Sequence, residues 1–171
     1  MNNLVWRNIG RFILLMLLQI VVFNNISLWG YILPMVYVLF ILMLPTGTPR
    51  IPMLLIAFAT GLVADIFNNM MGFHACACLV VAMCRILFGN RIITRNESAE
   101  IDTPSIFSAA PQYFVGYLML MLSIFYFVLF SIEMFDFRGF WQVLLATILS
   151  TIATTAIAVL YQLAFISAKK Q

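Results

Sequence analysis

Charge is what this sequence has least of. Six acidic residues and nine Lys or Arg make up 9% of the 171-residue chain, against about 25% in an ordinary soluble domain. So few charges cannot solvate a soluble enzyme or keep a tail disordered, and a net charge of +3 is too small to mark a nucleic-acid module. Catalytic equipment is missing as well. The chain has one histidine, no glycine-rich phosphate loop, and no Ser, His and acid at the required proximity. Only one connection, Gly89 to Pro111, is both long and polar.

What is there is apolar: 64% hydrophobic residues, 16 Phe, 11 Met and a mean hydropathy of +1.07. A soluble domain of this size could not bury so much, because small folds leave much of their surface exposed. The composition therefore predicts an all-α polytopic membrane protein. Apolar stretches are expected as helices over 6–23, 27–44, 52–67, 73–88, 113–132 and 140–166, bundled into a single transmembrane domain over 1–171. Six spans of about 20 residues leave roughly 50 of the 171, too few for a separate extramembrane domain. Joining residues 6 to 44 into one helix would give about 58 Å at 1.5 Å per residue, nearly twice the hydrocarbon thickness, so Asn24-Asn25 reads as a break. Residues after Phe23 do not form a small-x-small cleavage site, so the first helix is expected to be retained.

Charge placement tests this division. On an alternating path one side receives Arg7, Arg11, Arg50, Arg85, Arg91, Arg95, Lys169 and Lys170, and the other only Arg138. That asymmetry predicts both termini, and the loop over 89–111, in the cytoplasm. Asn96, one of two Asn-x-Ser matches, would then lie on the cytoplasmic side, so neither match speaks for glycosylation.

Ionisable residues inside spans are the first candidates for function. Asp65 and His74 flank the reversal at Asn68-Asn69 and Gly72 and should share one depth near the outer surface. Two readings stand: a proton relay or cation site, or a polar clasp fixing a helical hairpin. The clasp is preferred, since a proton path needs carboxylates at several depths and the other acids lie in loops or at helix ends. Arg85 falls roughly 16 Å below His74 and is expected to snorkel to the cytoplasmic headgroups. Cys76, Cys78 and Cys84 lack the ligand spacing of a zinc site and read as reduced, buried thiols. Small residues recur at steps of four: Ala57, Gly61 and Asp65, then Ala146, Ser150, Thr154 and Ala158, with Thr147, Thr151 and Thr155 beside them. Such stripes suit close packing inside the bundle or against a partner's transmembrane helix.

One segment is more specific. Pro49-Arg50-Ile51-Pro52, then Phe58 to Asp65, then Gly72-Phe73-His74-Ala75, give P-x-x-P, F-x-x-G-x-x-x-D and G-x-x-A. Over these 27 residues the chain resembles the MreD family of bacterial rod shape-determining membrane proteins. The N-x-x-x-W-G-Y-I-x-P phrase from Asn25 to Pro34 and a short basic end also suit that family. The resemblance implies a non-enzymatic member of the machinery that elongates side-wall peptidoglycan in the bacterial inner membrane. It implies association with a bitopic MreC-like protein, alongside MreB-like filaments, a RodA-like glycan polymerase and a penicillin-binding transpeptidase. It also implies a bundle similar to the S-components of energy-coupling-factor vitamin transporters, with no cofactor, no metal and no catalytic residue to carry over. Gly61, Asp65 and Gly72 match the motif as the expected sensitive positions. The alternative function is a small-molecule, vitamin-like uptake component; an intramembrane enzyme is disfavoured.

Overall fold

The structure, a computed structural model, describes residues 2–22, 33–45, 47–89, 111–134 and 140–167. These are all-helical apart from turns and one irregular stretch. The helices are α1 (Asn2–Val21), α2 (Val38–Leu42), α3 (Arg50–Asn68), α4 (Phe73–Cys84, continued by a π-helical turn Arg85–Gly89), α5 (Pro111–Glu133) and α6 (Phe140–Ser167). The Asn24-Asn25 break, most of the Asn25-to-Pro34 phrase, the connection from 90 to 110, Arg138 and the terminal lysines lie outside the described residues.

Large apolar side chains face outward, and several polar ones are buried with the apolar core. Ile66 and Leu160 are 73% and 65% exposed, whereas Asp65, Ser150 and Thr154 are at most 3% exposed. Water would reverse that arrangement; a hydrocarbon solvent produces it. Three helices, Arg50–Asn68, Gln112–Glu133 and Phe140–Ala164, are long and apolar enough to cross a membrane, and Asn8–Val21 and Phe73–Phe88 are shorter apolar helices. The stripe Ala146, Ser150, Thr154 and Ala158 is buried within the chain, so on α6 it packs the bundle's own interior.

Five of the expected stretches are helices with nearly the expected bounds; the described part of the second is helical for about one turn. Of 27–44 the described residues are 33–44: 33–35 are irregular, 36–37 form a turn, and Val38–Leu42 is helical. Pro34 explains the departure. It has no N–H to donate, and its ring disfavours helix at the preceding residue. Irregular backbone inside a membrane protein survives only where protein satisfies its polar groups. From Pro34 to Leu44 the segment is buried, and four helices supply the partners.

Gln19 of α1 donates to the Pro34 carbonyl (3.2 Å) and accepts the Val36 N–H (2.7 Å). The Tyr126 hydroxyl of α5 accepts the Met35 N–H (2.7 Å) and donates to the Leu33 carbonyl (2.8 Å). Its proton is then spent, so Thr154, 2.5 Å away, donates to it. Ser150 of α6 accepts the Leu33 N–H (3.2 Å). At the other end Arg85 donates to the Ile41 and Leu44 carbonyls. Tyr117 and Arg11 reach Leu42 and Met43 at 3.4 Å.

These contacts also give direction. Along α6 they advance from Ser150 to Gln162, whose amide meets the Met43 sulfur at 3.5 Å, a travel of about 18 Å. Along α5 they retreat from Tyr126 to Tyr117, and along α1 from Gln19 to Arg11. The segment therefore runs antiparallel to α1 and α5 and parallel to α6, keeping an alternating chain path without being a full helix.

Candidate functional site

The motif residues converge on the hairpin between α3 and α4. Pro49 caps the start of α3 and Pro52 sits in its first turn, where a missing N–H costs nothing. Ala57, Gly61 and Asp65, four apart, share the buried face of α3. Phe58 points outward, 41% exposed. The helix ends at Asn69, whose left-handed φ of 54° lets its N–H reach back to the Asp65 carbonyl. Gly72, at φ 88°, then turns the chain into α4, a conformation glycine adopts without steric cost.

Gly72 is the N-cap of α4 and has no side chain to offer the helix's first N–H groups. Asp65 supplies what is missing from the neighbouring helix. Its Oδ1 accepts the His74 N–H and its Oδ2 the Ala75 N–H, both at 3.0 Å. These are the second and third residues of α4, the donors an N-cap side chain normally serves. A carboxylate there also faces the positive end of the helix dipole.

The bonds require the two backbones to come close, which explains Gly61 one turn earlier. A Cβ at Gly61 would meet the Ala75 Cα and lie 2.7 Å from the Ala75 nitrogen and 2.8 Å from the His74 carbonyl oxygen. Those atoms are backbone and cannot swing aside. Ala75 is the small residue opposite, 2% exposed. Gly61, Asp65, Gly72 and Ala75 thus form one clasp.

His74 joins the clasp by its main chain, not by its ring. The imidazole Nδ1 lies 3.1 Å from the Tyr37 hydroxyl in the irregular segment, with the rings edge to face. His74 therefore ties the hairpin to the centre of the bundle. Beside it a cavity of about 170 Å³ is bounded by Gln19, Met35, Asn68, His74 and Glu133.

Arg85 departs from expectation. It does not snorkel; it is 2% exposed. The Ile41 carbonyl, at the end of the one-turn helix α2, is met by the Leu44 N–H only at 3.4 Å, and the Leu44 carbonyl lies beyond the helix. A planar guanidinium serves both at once, which holds the side chain inside rather than at the headgroups. The cysteines also divide: Cys78 is buried, but Cys76 is exposed and Cys84 intermediate, as positions on different faces of one helix. Among the described residues no three His, Cys, Asp or Glu side chains group as metal ligands.

Sequence reasoning missed Gln19, Tyr117 and Tyr126 as structural donors and acceptors. Their signal was present: each is a side chain with a polar group inside a mainly apolar stretch. Neither a family model, a curated protein nor a solved structure matches this chain.

Proposed function

We propose that this chain is a non-enzymatic scaffold of the bacterial cell-elongation complex, as its MreD-like motif implies. On this reading it is a six-crossing protein of the inner membrane with both termini in the cytoplasm. It binds an MreC-like bitopic partner and supports side-wall peptidoglycan synthesis beside a RodA-like polymerase, a penicillin-binding transpeptidase and MreB-like filaments. The observation that carries the reading is the clasp. Both oxygens of Asp65, a buried acidic residue in the last turn of α3, are engaged by the start of α4, so the motif serves architecture rather than proton transfer. The S-component-like uptake reading, with its ligand near the outer ends of the helices, ranks second, because the cavity there, beside His74, holds about 170 Å³, below the roughly 300 Å³ at which ligand pockets ordinarily begin.

Co-purification in mild detergent tests the proposal. An MreC-like bitopic protein and cell-wall synthases should accompany the chain. Recovery of an ATPase module with a vitamin-like ligand, and no cell-wall proteins, would contradict it.

A further inference from the structure

Two adjoining cavities lie where α1, α3 and the π-helical turn after α4 approach the end of the irregular segment. The larger, about 770 Å³, is an apolar groove between Ile9 and Phe12 of α1 and Ile56, Ala59 and Val63 of α3. The smaller, about 180 Å³, holds Arg50, Met53 and Arg85. Pro45, Thr48 and Pro49 line both, so the two are neighbours.

Their chemistries differ. The groove is open along its length, its walls are almost wholly hydrocarbon, and it lies between two helices of a membrane-embedded chain. The small cavity is cationic. Arg85 donates to two carbonyls, which are neutral and do not themselves offset its positive charge. Arg50 is exposed at the first turn of α3, whose N-cap makes no side-chain hydrogen bond. A cation placed at that positive helix end is unfavourable unless an anion joins it. An apolar groove adjoining a two-arginine cavity beside uncapped backbone N–H groups matches one molecule: a lipid with an anionic phosphate and an acyl chain.

We infer that the chain binds an anionic phospholipid here, the acyl chain lying in the groove between α1 and α3 and the phosphate facing Arg50 and Arg85. This rests on the membrane-embedded fold alone and stands or falls separately from the elongation-complex proposal.

Native mass spectrometry of the full chain, released from nanodiscs of equal phosphatidylglycerol and phosphatidylcholine, tests it. Phosphatidylglycerol should be retained preferentially. Arg50→Gln, at an exposed position, should reduce that preference about fivefold, the equivalent of the roughly 1 kcal/mol one basic residue contributes to anionic-lipid attraction. Ala59→Trp, also exposed, should lower retention of the lipid by filling the groove. Circular dichroism confirms that each variant keeps its helix content. Equal retention of the two lipids by the unaltered chain would overturn the inference whatever the variants do. So would a preference unchanged in both folded variants, or a groove found occupied by a partner's helix.

Discussion

The α3–α4 hairpin and the stretch from Leu33 to Leu44 face one problem, main-chain polar groups buried in an apolar bundle, and meet it by different means. In the hairpin a single carboxylate serves two N–H groups, and donor and acceptor are nine and ten residues apart. In the central stretch the partners come from four helices, and their separations run from 15 to 117 residues. The hairpin is a local device whose parts must keep their spacing. The central stretch is a shared one: no single helix holds it, and it holds all of them. A motif therefore marks the first and not the second.

Substitutions can break this contrast. Gly61→Val should have the largest effect, above roughly 3 kcal/mol, since overpacking against rigid backbone also separates Asp65 from α4. Thermal unfolding in detergent and loss of a monodisperse peak would report it. Asp65→Ala comes next, at roughly 3 kcal/mol, because two buried N–H groups lose their acceptor. Asp65→Asn keeps one acceptor oxygen and should lose about half as much, leaving partner assembly intact in co-purification; full assembly loss at normal membrane levels would instead favour a relay. Tyr126→Phe should cost about 2 kcal/mol by stranding the Met35 N–H. That loss is smaller because Gln19 and Ser150 still hold neighbouring groups, and urea titration of the two variants side by side checks the ranking. Tyr37→Phe removes one hydroxyl bond to His74 and should cost about 1 kcal/mol, read in the same titration.

The two regions differ equally in how far the amino-acid sequence discloses them. The hairpin was legible: its reversal at Asn69 and Gly72, the small stripe of Ala57 and Gly61, and the clasp role of Asp65 all follow from spacing. Only the atoms differed, since Asp65 meets the main chain of His74 rather than its ring. The stretch over 33–44 was not legible as an irregular segment, because an apolar run has the same hydropathy coiled or unwound. Pro34 was the local warning. The compensating groups, from Gln19 to Thr154, are scattered over the chain, and only folding brings them together. Arg85 was misread for the same reason: its partners are the carbonyls of Ile41 and Leu44, at and beyond the end of a one-turn helix, which hydropathy does not reveal.

Residue-resolved hydrogen exchange on the unaltered chain and on Asp65→Ala tests the central claim, that Asp65 is the N-terminal cap of α4, most directly. The amides of His74 and Ala75 should be protected in the former and lose protection in the latter, while those of Met35 and Val36 stay unchanged. Equal protection of His74 and Ala75 in both proteins would contradict the account.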